Sequence, residues 1–468
     1  MSLEGALAVH RFGLGARAGE IASASNDPKA WLLAQLGPAD QPTPVLPGSA
    51  LLRTGQVVAD EREFHAQEKL LRAQRKNGQV DDEALKALNK TRYDKIQGEL
   101  AARFALGFKT ERPFAERLVW FWTNHFGVSS ANGDCTPYLG SFEREVIRPN
   151  IAGKFETMVV AAMRHPAMLY YLNNVQSIGP NSPVGLRSKR GLNENLGREL
   201  MELFTLGVDG GYTQSDVIAM AKLLTGFGVD NDGNDTHPIS DDGFRFYANR
   251  HEPSDVVLRG KTYKSGEEGT IAAITDLARD PSTAHHIAVK FATAFLSDKP
   301  TPGMIRRLEE NFKQTGGDLR ALAETAISDP HAFAPGLVKV RSPVEYVTAA
   351  YRLLDIPKAG MKPDQATGLV RSAMGVTRLM GEFPMSAPSP KGWPLESDAW
   401  SGPDAVLTRI EWARQIGQRI PPAADVVALA AQGLGPLMSE MTSTGILRAS
   451  SKAEAVALLI ASPEFQRR

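Results

Sequence analysis

Hydrophobic residues recur along most of the chain at intervals of three and four positions, the spacing of one face of an α-helix. This spacing predicts helices over 139–149, 153–163, 192–206, 214–225, 268–278, 282–296, 302–314, 318–327, 342–353, 365–379, 403–418, 423–433 and 450–460. Strand-like alternation is rare, and its best example, Phe244–Tyr247 with Val256–Leu258, predicts a small β-hairpin. We therefore predict a mainly α fold, a compact multi-helix single body.

The range 60–99 differs from the rest because it carries nine acidic and nine basic residues. Asn77 and Gly78 interrupt this run near its middle, a break typical of a turn. Two helices with solvated faces explain the charges best. We expect one helical domain over residues 1–468, within which 60–99 forms a projecting, charged helical hairpin.

Composition narrows the class of protein further. The 53 basic and 53 acidic residues cancel, which argues against nucleic-acid binding through bulk charge. The sequence contains no run of about 18 apolar residues, the length that would predict a membrane span. The first residues lack the basic and apolar regions of a signal peptide. We expect a soluble protein, cytoplasmic by default and exported if a signal has been removed. No cofactor is assigned from the sequence.

The densest polar segment is the predicted helix 192–206. At 100° per residue, one stripe must face a core and comprises Leu196, Leu200, Leu203 and Gly207. The stripe beside it carries an amide and two carboxylates, Asn195, Glu199 and Glu202. Carboxylates bordering a core need hydrogen-bonding partners, a metal or a catalytic role. Arg198 follows Glu194 at the spacing of an ion pair.

Two histidines lie in similarly polar segments and are candidates to join this stripe, His125 and His251. We predict that at least one of them lies within about 8 Å of the Glu199 or Glu202 carboxylate, close enough for a substrate to link them. The catalytic candidates are thus Glu199, Glu202, His125 and His251. The candidates for substrate binding are Asn195, Arg198, Tyr212, Trp122 and Trp393. Trp393 is expected to be mostly buried, because prolines brace its loop.

Several motifs occur together along the chain. They are Phe121-Trp122-Thr123-Asn124-His125-Phe126, His165-Pro166-Ala167-Met168-Leu169, residues 193–203, residues 205–213, His251-Glu252-Pro253, Lys391-Gly392-Trp393-Pro394 and Ser462-Pro463-Glu464-Phe465. Jointly they resemble the bacterial family catalogued as domain of unknown function 1800, from about residue 7 onward. The resemblance implies a helix-rich bacterial protein, often exported, and no established reaction. Phe204 and Asn173 stand where that family commonly has His and Asp.

Three functional hypotheses follow from these residues. The first is an enzyme, a hydrolase or lyase, that acts on a small polar substrate, carbohydrate-like or an ester, through a carboxylate and histidine cleft. The second is a non-catalytic envelope or scaffold protein, in which the same charges form a buried structural network. The third is a metal-assisted hydrolase with Glu199, Glu202 and His125 as ligands. The sequence does not identify a protein partner.

Overall fold

The structure is a computed structural model that describes residues 1–37, 51–77, 82–231, 238–358, 360–420 and 424–468. These residues form 23 α-helices and four short strands, so the mainly α fold predicted from the sequence is confirmed. The first eleven helices are α1 (Leu3–Leu7), α2 (Glu20–Ala24), α3 (Pro28–Leu33), α4 (Thr54–Lys76), α5 (Asp82–Lys109), α6 (Pro113–Phe126), α7 (Leu139–Phe142), α8 (Phe155–Arg164), α9 (Pro166–Tyr171), α10 (Pro183–Ser188) and α11 (Asn195–Glu199).

The remaining helices follow in the second half of the chain. They are α12 (Gln214–Leu224), α13 (Glu267–Arg279), α14 (Pro281–Phe295), α15 (Pro302–Thr315), α16 (Leu319–Ile327), α17 (Pro343–Leu353), α18 (Pro363–Leu379), α19 (Pro403–Gly417), α20 (Val426–Leu434), α21 (Glu440–Arg448), α22 (Lys452–Ala461) and α23 (Pro463–Gln466). Many begin with Pro after a capping side chain, because Pro at the first position loses no hydrogen bond. Ser342, for example, caps α17 and accepts from the Glu345 N–H.

The four strands form two antiparallel pairs. Strand β1 (Phe227–Val229) pairs with β2 (Phe244–Phe246), and β3 (Val256–Leu258) pairs with β4 (Lys261–Tyr263). The predicted hairpin between 244–247 and 256–258 is therefore wrong in its pairing, although both segments contain a strand. Arg259 and Gly260 both have positive φ and make the two-residue turn that closes β3 onto β4.

Helices α4 and α5 form the charged hairpin predicted for 60–99. Lys95 pairs with Asp60 at 2.5 Å and Arg92 pairs with Glu61 at 2.9 Å across the two helices. Helix α4 buries only residues up to Glu61, and α5 is buried only from Gly98 onward. The distal halves of both helices therefore extend away from the core, while the connection at 78–81 lies outside the described residues.

The core is centred on α6, in which nearly every side chain is buried. Its aromatic residues contact those of α14, including Phe121 with Phe291 at 5.3 Å between ring centroids. Large aromatic side chains bury much apolar surface each and contribute strongly to the stability of such a core. Within the described part of the chain, no helix combines the length and the apolar character needed to cross a bilayer.

The predicted helix 192–206 changes type in its middle. It is α-helical over Asn195–Glu199 and π-helical over Leu200–Phe204. A π-helical turn contains about one residue more than an α turn, so the buried face shifts along the sequence. Met201 and Phe204 are fully buried, whereas Leu203 is only partly buried. The prediction that Leu203 lies on the buried stripe, which assumed a constant helical period, is therefore wrong.

Candidate functional site

The polar stripe of α11 lies at the surface of the fold. Glu199 and Glu202 are partly buried, and the Tyr212 hydroxyl donates to Glu202 Oε2 at 3.3 Å. Burial, with the neighbouring Glu202 carboxylate, raises the pKa of Glu199. Asn195 is exposed at the start of the helix. The structure thus brings two predicted carboxylates and Tyr212 together in an acidic surface group.

Arg198 lies on the side of α11 that faces α12. It donates to Glu194 at 2.9 Å, the ion pair predicted from their spacing, and to Gln214 at 3.0 Å. Both partners are partly or fully exposed to solvent, where an ion pair contributes little to stability. Arg198 remains accessible to a polar ligand beside the acidic surface group.

His125 is buried beside the π-helical segment, on its core side. Its Nε2 donates to the Phe204 carbonyl at 3.1 Å, and its ring contacts Trp122 and Phe155. Burial, with the nearby Lys290 ammonium, lowers the pKa of His125 well below its usual range. Trp122 is itself fully buried. Both predicted site residues are therefore enclosed in the aromatic core.

His251 holds two loops together through both ring nitrogens. Its Nδ1 donates to the Thr225 carbonyl at 2.6 Å, and its Nε2 accepts from the Gly266 N–H at 2.8 Å. Burial lowers the pKa of His251, which keeps the ring neutral and suits this bonding. With both nitrogens engaged, the ring has no free position for proton transfer in this arrangement.

Metal binding by the predicted set Glu199, Glu202 and His125 has no support in this geometry. Among the described residues, no three His, Cys, Asp or Glu side chains form a group that could hold a metal ion. The hydrogen bonds found for His125 and His251 within the described chain go to backbone groups and to Thr225, and none goes to Glu199 or Glu202.

A different constellation resembles a nucleophile and base pair. Thr54 Oγ1 lies 2.8 Å from His165 Nε2 and 2.8 Å from Glu145 Oε2. However, His165 Nδ1 accepts from the Ala167 N–H at 3.1 Å, so the single proton of the neutral ring sits on Nε2. The imidazole therefore donates to Thr54 and cannot remove its proton. This arrangement is structural.

The most chemically distinctive site is a cavity of about 120 Å³ between α6, the first residues of α17 and the segment 383–400. We call it the charged cavity. Its charged lining comprises Arg103, Arg117, Glu345, Glu382 and Arg468. Its aromatic lining comprises Trp120, Phe121, Phe295, Trp393 and Trp400. Pro394, which is exposed, lies at its rim.

Trp393 is the one predicted site residue that lines the charged cavity. Its backbone is held to α6 by the Asn124 amide, which accepts from the Trp393 N–H at 2.7 Å and donates to its carbonyl at 2.9 Å. The indole N–H donates to the Phe383 carbonyl at 3.2 Å. Gly392 has a positive φ, and a Cβ there would overlap the Asn124 carbonyl. These contacts fix a partly exposed Trp393 over the cavity.

Glu345 is the ionised carboxylate of the cavity. It accepts from Arg117 at 2.9 Å and from Arg468 at 2.9 Å, and from the Ser342 N–H at 3.1 Å. Burial alone would raise the pKa of Glu345, but the guanidinium groups of Arg117, Arg468 and Arg341 lower it to about 2. Glu345 is therefore a fixed negative charge at neutral pH.

Glu382 lines the same cavity, but its pKa is shifted in the opposite direction. The residue is 9% exposed, and its Oε2 accepts from the Val344 N–H at 2.8 Å. Burial, with a contribution from the Glu345 carboxylate, raises the pKa of Glu382 to about 7. Two carboxylates whose surroundings move their pKa values in opposite directions are the usual mark of an acid–base site.

Sequence reasoning missed these residues because nothing local marks them. Glu345 sits where a capping box places an acid, so its position is fully explained by helix initiation. Glu382 follows α18 in a short turn without any motif. The sequence feature that pointed towards this site was the proline-rich loop around Trp393, because that loop covers the cavity that both carboxylates line.

The fold and cavity define a mainly α-helical protein with a charged internal site built from distant parts of the chain. The chain belongs to the family described as protein of unknown function (DUF1800), which matches residues 7–467. No curated protein and no solved structure matches the chain. The family membership predicted from the motifs is confirmed, and it covers nearly the whole chain.

Proposed function

We propose that this protein is a hydrolase of small polar esters and that the charged cavity is its active site. The observation that supports this most is the pair of carboxylates in one cavity, of which Glu345 is ionised and Glu382 exchanges a proton near neutral pH. A group with a pKa close to the working pH transfers protons most effectively. This proposal keeps the reaction class expected from the sequence and moves it from the Glu199 group to the cavity.

The size of the cavity limits the substrate. One water molecule needs roughly 10–15 Å³ of such space, so a cavity of about 120 Å³ accommodates about ten non-hydrogen atoms. A short ester or a single sugar ring fits this limit, whereas a polymer chain does not. Trp393 and Trp400, with ring centroids 6.0 Å apart, supply apolar surface beside the charged groups.

The lining residues suit a general-base mechanism. Ionised Glu382 takes a proton from a water molecule, whose oxygen attacks the ester carbonyl carbon. The charge that develops on the carbonyl oxygen is stabilised by the guanidinium groups of Arg117 and Arg468, which line the cavity. The bond to the alcohol oxygen then breaks, and Glu382 returns the proton to that oxygen. The products are a carboxylic acid and an alcohol.

The test is hydrolysis of methyl acetate, methyl glycolate and monomethyl malonate, followed by acid release at constant pH. The wild-type protein is expected to hydrolyse at least one of them. Glu382→Gln is expected to lower the rate about 100-fold or more, because general-base catalysis contributes that much. Glu411→Gln, an exposed residue of α19, serves as the matched control and should retain the rate. Absence of hydrolysis for all three esters, or full activity in Glu382→Gln, would overturn the proposal.

One observation favours the non-catalytic scaffold as a second candidate. Arg148 pairs with Glu116 at 2.7 Å and with Glu143 at 2.7 Å, and Arg103 pairs with Glu143 at 2.5 Å. This buried network has two acids for two bases, so its charges balance without a ligand. The scaffold hypothesis predicts that Glu382→Gln changes stability only, so the same ester assay separates the two functions.

A further inference from the structure

Positive charge exceeds negative charge around the charged cavity. The balanced network of Arg103, Arg148, Glu116 and Glu143 accounts for one wall. The other buried guanidinium groups that interact with Glu345 or Glu382 belong to Arg117, Arg341, Arg409 and Arg468. Of these four cations, Arg117 and Arg468 line the cavity and Arg341 and Arg409 do not. The four share two carboxylates, one of which is protonated below about pH 7. Burying such an excess is costly unless another negative charge is present.

The hydrogen-bond partners of Arg341 and Arg409 are consistent with this excess of positive charge. Arg341 donates to neutral His10 at 2.6 Å and to the Phe465 carbonyl at 3.0 Å. Arg409 donates to the Arg341 carbonyl at 2.8 Å and lies over the ring of Tyr346. None of these partners carries a charge. Among the side chains of the described residues, the compensation within this group therefore comes from Glu345 and Glu382.

The shortage of negative charge also affects Arg117, which lines the cavity. Arg117 donates to the Gly13 carbonyl at 3.0 Å and to Glu345 at 2.9 Å. Burial, with the Arg468 guanidinium nearby, lowers the pKa of Arg117 to about 9 despite the pairing with Glu345. Glu345 is thus the one carboxylate side chain that pairs with both Arg117 and Arg468 among the described residues.

We infer that the charged cavity binds a small carboxylate anion and that this anion binds together with one proton on Glu382. The inference rests on the proposed function for its ligand class, since a carboxylate is the product of ester hydrolysis. A carboxylate supplies the missing negative charge and matches the planar guanidinium groups in geometry. A second carboxylate beside Glu382 disfavours its ionised form.

Proton coupling gives the inference a quantitative form. The groups that act on Glu382 are Glu345, Arg103, Ser342 and the Val344 N–H, together with Arg409. Glu345 stays ionised across pH 6 to 8.5. Arg117, with a pKa of about 9, and Lys339, which interacts with Glu345 and Arg468 and has a pKa of about 8, lose charge only in the upper part of this range. Glu382 makes the largest change of charge. With a pKa of about 7, the fraction of protonated Glu382 falls about 30-fold between pH 6 and pH 8.5, and carboxylate affinity is expected to fall by at least this factor.

The test is isothermal titration of the full chain with acetate and benzoate at pH 6, 7 and 8.5. Acetamide and benzamide have nearly the same shape without the charge and serve as matched ligands. At least one carboxylate is expected to bind, its amide is not, and affinity should fall at least about 30-fold at pH 8.5. In Glu382→Gln, affinity should be the same at pH 6 and pH 7 and should fall far less than in the wild type at pH 8.5, while Glu411→Gln should behave as wild type.

The outcomes separate this inference from the proposed function. No binding by either carboxylate at pH 6, equal binding by the amides, or pH-independent binding to the wild type would overturn the inference. Ester hydrolysis without carboxylate binding would overturn the inference and leave the hydrolase proposal intact. Carboxylate binding without ester hydrolysis would contradict only the hydrolase proposal.

Discussion

The replacement Glu382→Gln tests the physical state of the charged cavity without reference to any substrate. Gln has the shape of a protonated Glu and keeps an oxygen that can accept from the Val344 N–H. It removes only the ability to ionise. If Glu382 is protonated in the folded protein near neutral pH, the variant should resemble the wild type at low pH and exceed its stability at high pH.

The magnitude follows from the change in pKa on folding. Burial raises the pKa of Glu382 from 4.5 to about 7, so the folded state binds more protons than the unfolded state between these values. This contribution to stability is complete below pH 4.5 and is lost as the pH rises through 7. At about 1.4 kcal/mol per pKa unit, the wild type loses about 3 kcal/mol through Glu382, and Glu382→Gln does not.

The assay is the melting temperature of both proteins from pH 5 to pH 8.5. If the 468 residues unfold as one cooperative unit, the entropy of unfolding is about 1 kcal/mol per kelvin, so the difference amounts to about 3 °C. Glu411→Gln should melt in parallel with the wild type at every pH. If Glu382→Gln also follows the wild type in parallel across this range, Glu382 is not protonated in the fold and the reasoning is refuted.

Three further changes test other parts of the site. Glu345→Gln should lower the free energy of unfolding by roughly 3–5 kcal/mol at pH 7, because it leaves buried arginines unpaired. This effect has the opposite sign to that of Glu382→Gln at high pH. Urea unfolding measures the change, and an unchanged free energy of unfolding would contradict the ion pairs of Glu345. Gly392→Ala should cost about 1–3 kcal/mol through overlap with Asn124, whereas Gly191→Ala, which meets nothing within 4 Å, should change stability by less than about 0.5 kcal/mol. Glu199→Gln should change stability by less than about 0.5 kcal/mol and leave ester hydrolysis unchanged, and loss of hydrolysis would return the active site to α11.

The sequence predicted the helices well because the residues that start and end a helix are neighbours in the sequence. The start of α17 is marked by Ser342, Pro343 and Glu345, which together form a capping box with Pro at the first position. The change to a π-helix at Leu200 was not predictable, because the hydrophobic pattern was interpreted with a constant period. The pairing of β3 with β4 depended on positive φ at Arg259, a residue type that rarely marks such a turn.

The candidate site was predicted less well because burial, and not residue type, gives its members their chemistry. Glu199 and Glu382 are the same residue type, yet the first borders solvent and the second is nearly enclosed. The pKa of Glu382 depends on a cavity that exists only after the segment 383–400 has folded onto α6. Trp393 could be selected from the sequence because its proline-rich loop identified it as an anchor, which is a local property.

The two buried charge groups of this fold differ in a way that indicates where a ligand contributes. The charges of Arg103, Arg148, Glu116 and Glu143 balance one another, so removal of one of them would damage the fold whatever the function. The group around Glu345 has more cations than anions and keeps Glu382 close to its titration point. A protein that needed only a stable core would gain from replacing such a group by apolar side chains. The retained excess of positive charge is therefore best explained by an anion that occupies the charged cavity during function.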